Sequence, residues 1–248
     1  MGIKKIIKTI LVKSVPKCIK REIENSNKLL VNHNHECAQY LNLSFAQEGE
    51  DLILYRLIGD KSNGFYIDVG AHHPFRFSNT FKFSLMGWKG INIDPLPKSK
   101  QLFDIKRPDD VNLEIGILNA KSDGLLYHLF DEPALSTFDE GIASKLVKES
   151  HYKLENTIRI DVCRLEEVLD RYLPENQVID FLSIDVEGLD LNVLQSNDWL
   201  RYRPKFVLCE SLSKTLAEDF KGEISIFMNS QNYILLAKTV NTLIYGLA

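Results

Sequence analysis

No two cysteines of this chain are spaced to grip a metal. The 4 cysteines, Cys18, Cys37, Cys163 and Cys209, form no C-x-x-C pair, which excludes zinc ribbons and thioredoxin-type redox motifs. Cys163 and Cys209 lie in apolar, strand-like contexts where a reduced thiol behaves as a small hydrophobe. A reducing cytoplasm is therefore the expected compartment. His33, His35 and Cys37 alternate like ligands, but no fourth ligand stands nearby and a polar linker is the better reading. An excess of positive charge is also missing. With 30 Lys+Arg against 34 Asp+Glu the net charge is -4, which gives no reason to expect nucleic acid as a partner.

Long apolar runs are absent as well. The first helical stretch sets Ile3, Ile6, Ile7, Ile10 and Leu11 on one face and Lys4, Lys5, Lys8 and Lys13 on the other side. It is too short and too often interrupted to cross a bilayer, and it lacks the clean apolar core and cleavage site of a signal peptide. Two readings of residues 1–21 stay open. The helix docks on the domain or on a second copy in a homo-oligomer, or it lies peripherally on an anionic membrane at the inner face. Docking is preferred. Residues 1–43 thus read as a basic extension and 44–248 as the main domain.

What is present is an ordinary globular composition, 44% hydrophobic and 26% charged, in a chain of 248 residues that can bury a core without staples. Short apolar runs rich in β-branched and aromatic residues recur at 65–69, 90–94, 111–117, 178–184 and 206–210. Helical segments at 79–86, 98–103 and 189–200 separate most of them, after an earlier helix over 44–59. The alternation predicts an α/β fold with a mostly parallel sheet. Strand-like runs at 124–130 and 157–162, with 136–149 between them, read as an insertion over about 120–162 that supplies substrate-contacting loops. The runs 233–240 and 242–247 are expected to close the sheet as an antiparallel pair.

The acids sit where such a sheet binds ligands. Asp68, Asp94, Asp185 with Glu187, and Glu210 all fall at or near the carboxyl ends of apolar runs. In an open parallel sheet those ends converge on one edge, and a buried carboxylate is costly unless it meets a partner. Asp94 ends its run about twenty-five residues after the first turn, the place of an acid that accepts from ribose hydroxyls. That geometry suits NAD as well as S-adenosylmethionine, and glycine decides between them. A dinucleotide needs G-x-G-x-x-G, whereas only Gly70 is present here, followed by Ala71, His72, His73 and Pro74. A cofactor without phosphates fits better. An NAD-dependent sugar oxidoreductase or epimerase is disfavoured by the missing glycines. A non-catalytic membrane-associated module is disfavoured by the acids kept at every strand end.

Several blocks in order carry a resemblance. They are Phe45-Ala46-Gln47-Glu48-Gly49-Glu50-Asp51, Phe65-Tyr66-Ile67-Asp68-Val69-Gly70-Ala71-His72-His73-Pro74, and Ser78-Asn79-Thr80. Then come Gly87-Trp88-Lys89-Gly90-Ile91-Asn92-Ile93-Asp94-Pro95, Ile179-Asp180-Phe181-Leu182-Ser183-Ile184-Asp185-Val186-Glu187-Gly188 and Arg203-Pro204-Lys205-Phe206-Val207-Leu208-Cys209-Glu210. With these blocks the chain resembles the FkbM-type methyltransferases. The resemblance implies a class I, Rossmann-like fold, a seven-stranded sheet with helices on both faces and an antiparallel last strand. It implies S-adenosylmethionine as cofactor and methyl transfer to oxygen, commonly a hydroxyl of a sugar in a polysaccharide, glycolipid or nucleotide-linked form. Asp68 and Gly70 would bind cofactor, Asp94 the ribose, and Gln47, Glu50, Ser78 and Asn79 would close the cofactor pocket. Many such turns carry Asn after Gly-Ala where this one has His72.

An alcohol needs a base to become a good nucleophile. Asp185, Glu187, Glu210 and the two histidines, His72 and His73, are the catalytic candidates, with His73 before Pro74 read equally as a packed turn residue. As alternate residues of an extended end Asp185 and Glu187 are expected to face one side. A divalent cation, Mg²⁺, held through oxygens of Asp185 and Glu210 is the alternative to a base. Phe138 in Ser136-Thr137-Phe138 is read either as part of the acceptor wall or as a buried ring behind a helix cap. Trp88, Trp199 and Tyr202 are expected to be packing residues.

Overall fold

The computed structural model describes residues 42–120 and 122–248, so the basic helix expected over 1–21 and the His33, His35, Cys37 stretch lie outside the described residues. Its main sheet has 7 strands: β1 (Phe65–Val69), β2 (Lys89–Ile93), β3 (Val111–Leu113), β7 (Phe181–Ile184), β8 (Phe206–Glu210), β9 (Tyr233–Lys238) and β10 (Thr242–Leu247). They lie in the order β3-β2-β1-β7-β8-β10-β9, and β10 runs antiparallel to both its neighbours while β1, β2, β3, β7 and β8 are parallel. The order reverses between β1 and β7. That switch point is where an open parallel sheet leaves a crevice for ligands.

Alternation along the strands builds a core on each face. Ile67 and Val69 of β1, Leu182 and Ile184 of β7, and Val207 and Cys209 of β8 face one core. They pack with Leu165, Val168 and Leu169 of α5 (Leu165–Tyr172), Val193 and Leu194 of α6 (Asp190–Gln195), and Met228 of α8 (Glu223–Ser230). Tyr66, Phe181 and Leu208 turn the other way, against Leu54 of α1 (Glu50–Ile58), Phe83 of α2 (Phe81–Leu85) and Trp88. Period-two strands with both faces apolar require helices on both faces, as here. Trp88, Trp199 and Tyr202 are buried, and so are Cys163 and Cys209. Among the described residues the remaining α-helices are α3 (Ser99–Lys106), α4 (Glu140–Glu149) and α7 (Leu216–Lys221).

Residues 111–117 do not form one strand. β3 stops at Leu113, and Gly116–Ile117 is a separate β4 that pairs with β6 (Leu154–Cys163), which pairs antiparallel with β5 (Ser122–Phe130). Gly116 permits this departure, since a Cβ there would run into Phe138 and Val162. The segment expected as a helix over 44–59 is helical only from Glu50, because Asp51 accepts from Ser44 Oγ at 2.6 Å and from the Phe45 amide at 2.8 Å and so holds the preceding residues in a turn. The α6 helix is shorter than expected. It ends at Gln195, and Trp199 folds back to donate to the Leu194 carbonyl at 2.8 Å. α5, α7 and α8 lie in segments for which the sequence pattern predicts no helix. Among the described residues, no helix is long and apolar enough to cross a membrane.

Beneath the β1 and β2 ends lies a buried polar network. Arg107 Nε donates to Asp110 at 2.9 Å, Nη1 to Thr80 Oγ1 at 3.0 Å and Nη2 to the Tyr66 hydroxyl at 2.5 Å. Asp110 also accepts from the Gly90 amide and from Asn92. Removing one member strands the others without water. Arg107→Ala should cost about 3–5 kcal/mol of unfolding free energy in urea titration; a loss below about 1 kcal/mol would mean the network is relaxed by solvent.

Candidate active site

Two cavities meet at the carboxyl edge of the sheet. The narrower is lined by Gly70, His72, Asp94 and Leu96 from the β1 and β2 turns and by Tyr127 and Phe138 from the insertion. The wider, open cleft is lined by Gln47, Arg76, Lys145, Tyr152, Glu210 and Asn241. Ala134, Asp185 and Glu187 line both.

Gly70 lets the β1 and β7 turns touch. Its φ is +81°, and a Cβ there would overlap the Asp185 carbonyl oxygen. The Gly70 and Ala71 amides both donate to the Ile93 carbonyl, at 2.9 and 3.1 Å, which ties this turn to the end of β2. Asp94 follows directly. Its Oδ2 accepts from the His72 amide at 2.6 Å and its Oδ1 from the Leu96 amide at 2.8 Å. Each oxygen keeps capacity for a further donor. Burial pushes the Asp94 carboxyl up to about 6, helped by Asp68 and Glu114 and opposed by those two amides.

The other residues expected at the cofactor divide by position. Gln47 lines the wide cleft rather than the narrow cavity. Asp68 lies beneath, accepting from Thr80 Oγ1 at 2.7 Å, and burial raises its carboxyl. Ser78 caps the start of α2 by accepting from the Phe81 amide at 3.1 Å, and Asn79 donates to Ser183 Oγ at 3.0 Å. Glu50 is buried and accepts from Thr239 Oγ1 at 3.2 Å, Thr242 Oγ1 at 3.1 Å and the Glu48 amide at 2.9 Å. These side chains frame the turns and do not line the narrow cavity.

Asp185 and Glu187 do reach one place, but not by strand alternation. β7 ends at Ile184, and Glu187 has φ +54° followed by Gly188 at +96°. This left-handed turn, held by Thr137 Oγ1 donating to the Glu187 carbonyl at 3.0 Å, swings both acids onto the border of the cavities. No described residue donates a hydrogen bond to the side-chain oxygens of Asp185, Glu187 or Glu210. Burial, then the charges of Asp185, Glu210 and Asp190, push Glu187 up to about 9. Asp185 and Glu210 are also raised, in each case first by burial and then by neighbouring carboxylates. Asp185 is exposed to the cleft, and the negative charges of Asp68, Glu50 and Glu48 act on it in the same upward direction.

His73 is not part of this cluster. Its Nδ1 accepts from the Phe75 and Arg76 amides, both at 3.1 Å, and the residue borders a surface groove with Pro97 and Leu102. It acts as a turn cap, the structural one of the two readings its place before Pro74 allows. Phe138 stacks on Tyr127, centroids 4.6 Å apart, and lines the narrow cavity instead of the wide cleft. His72, which stands where many such turns carry Asn, lines the narrow cavity; Arg76 and Ala134 also border the cavities, and nothing in their spacing marks them. Among the described residues, no group of three or more His, Cys, Asp or Glu is arranged to hold a metal ion.

The sheet order and the ligand edge define a class I methyltransferase fold. The family model of the methyltransferase FkbM domain matches residues 68–235, and the chain belongs to that family. Among curated proteins none matches the chain. Membership implies S-adenosylmethionine as methyl donor, and the narrow cavity suits it. Asp94 has spare acceptor capacity, Ile117, Tyr127 and Phe138 offer apolar walls to a flat base, and Asp185 and Glu187 offer negative charge to a cation.

The raised carboxyls make stability depend on pH. A group whose folded pKa exceeds its unfolded value contributes stability that is complete below the unfolded value and is lost as pH rises through the folded one. For Glu187 the window runs from about 4.5 to about 9. The ligand-free protein should melt at progressively lower temperature between pH 5 and 9, and Glu187→Gln should flatten that decline. Melting curves with identical slopes for both proteins would refute the uncompensated state of Glu187.

Proposed function

We propose that this chain is an S-adenosylmethionine-dependent O-methyltransferase that acts on a sugar hydroxyl, in a nucleotide-linked sugar or a polysaccharide or glycolipid precursor. The carrying observation is that Asp185 and Glu187 border both cavities. A methyl group passing from a donor in the narrow cavity to an acceptor in the wide cleft must cross that border. The wide cleft supports a sugar reading. Gln47 and Asn241 line it beside the aromatic rings of Phe77 and Tyr152, a mixture of hydrogen-bonding groups and flat apolar faces.

The donor, when bound, supplies an electrophilic methyl carbon on a sulfonium. The rest falls to the protein. Asp94 accepts from the ribose hydroxyls, and the turn at Gly70 carries the loop close to the donor. Glu187 takes the proton of the acceptor hydroxyl. Its raised pKa makes it a stronger base than an ordinary carboxylate once ionised, and a cation bound beside it favours that ionised form. Asp185 orients the acceptor, and Glu210, which lines the wide cleft and not the narrow cavity, contacts the far side of the sugar. Alignment of acceptor oxygen and methyl group supplies much of the acceleration.

The test is turnover on a panel of nucleotide sugars, read as S-adenosylhomocysteine formed. At least one neutral sugar should be methylated on oxygen, and Glu187→Gln should lower kcat roughly 10²–10⁴-fold while S-adenosylhomocysteine binds as before. Asp94→Ala should do the reverse, weakening that binding first. Methylation of amines alone would sink the O-transfer reading, and undiminished turnover by Glu187→Gln would sink the base.

A further inference from the structure

His72 is held in an unusual backbone state beside Asp94. Its φ is +51°, a region that non-glycine residues seldom enter, and its amide donates to Asp94 Oδ2 at 2.6 Å. Its ring Nε2 lies 3.3 Å from Nη1 of Arg76. Arg76 is itself clamped, donating to both carboxylate oxygens of Glu132 at 2.8 and 2.9 Å. A guanidinium only donates, so Nε2 must accept and the ring proton belongs on Nδ1. That Nδ1 is buried and has no hydrogen-bond partner. Burial, then the charges of Arg76 and His73, push the imidazole down to about 4, so the ring is neutral at ordinary pH.

An N–H sealed from water and left unpaired is costly, and a folded chain retains few such groups. This one belongs to a residue that lines the narrow cavity next to the acid placed for ribose. We propose that His72 is a cofactor-binding residue whose Nδ1–H is kept for an oxygen of the bound methyl donor, on its ribose or on its aminoacyl carboxylate. The inference rests on the methyl-donor assignment of that cavity. Asp94 then accepts from the ligand while His72 donates to it. A neutral ring suits the task, because an imidazolium would repel a sulfonium.

Two substitutions separate this role from a backbone one. Glycine and asparagine both tolerate positive φ. Only asparagine carries an N–H donor the same number of bonds from Cα as Nδ1. Calorimetric titration of the full chain with S-adenosylhomocysteine should find His72→Asn within about threefold of the parent and His72→Gly weaker by about tenfold, with both variants melting near the parent. Titration with 5′-methylthioadenosine, which lacks the aminoacyl end, identifies the partner oxygen. Equal weakening in His72→Gly points to the ribose, and weakening seen only with S-adenosylhomocysteine points to the carboxylate. If His72→Gly binds as tightly as the parent, or His72→Asn no better than His72→Gly, the inference is overturned while the donor assignment stands. If the parent binds neither ligand, the donor assignment fails and takes this role with it.

Discussion

Between the ends of β1 and β7 the Asp185 carbonyl oxygen occupies the space that a side chain at position 70 would need. Both turns are fixed by that approach. On one side, Gly70 and Ala71 hang from the Ile93 carbonyl, which brings Asp94 into line. On the other, the chain leaves Asp185 through a left-handed Glu187 and Gly188 and sets two carboxylates on the shared border of the cavities. Donor loop and acid border are therefore positioned by the same backbone contact. Loosening it would displace both halves of the site together.

The charges around this contact follow two opposite rules. Below the site each buried ion is compensated. Arg107 meets Asp110, Tyr66 and Thr80, and Thr80 in turn donates to Asp68. Along the cleft the acids have no described donor, and Asp185 pushes up the pKa of both Glu187 and Glu210. Self-repelling carboxylates weaken the ligand-free fold and are relieved by a cation or by protons. Nearby Arg76 cannot neutralise them without giving up Glu132.

Much of the sheet was legible because its strands obey simple periodicity. Runs such as Phe65–Val69 and Phe206–Glu210 are apolar on both faces and bounded by turn residues, and the structure keeps those bounds. Gly70 and Asp94 were readable for the same reason: their positions are set by strand ends. What the sequence concealed depends on tertiary turns. The extended geometry assumed for Asp185 and Glu187 gives way to a left-handed turn, which places them together by another route. Glu50, Ser78 and Asn79 stand in motif blocks, yet they bond to Thr239, Phe81 and Ser183, partners that no local spacing announces. His73 looked chemical because it adjoins the glycine turn, but two amides three residues or fewer ahead claim its ring nitrogen.

The pair of histidines shows how little separates structure from chemistry in such a turn. Each ring is next to the other in sequence, and each has a lowered pKa. His73 spends its Nδ1 on backbone amides, which requires that nitrogen to be an acceptor. His72 faces a guanidinium through Nε2, which forces the opposite tautomer and leaves its Nδ1–H over. The distinction comes from Arg76, whose carboxylate partner Glu132 lies in the loop that follows β5, far away in sequence. The same Glu132 accepts from the Ala134 amide at 3.3 Å, and Ala134 borders both cavities. One ion pair therefore sets the protonation of a ring in the narrow cavity and anchors the wall it shares with the wide cleft. The insertion is thereby part of the wall of both cavities, joined to the β1 turn by an ion pair rather than merely packed beside it.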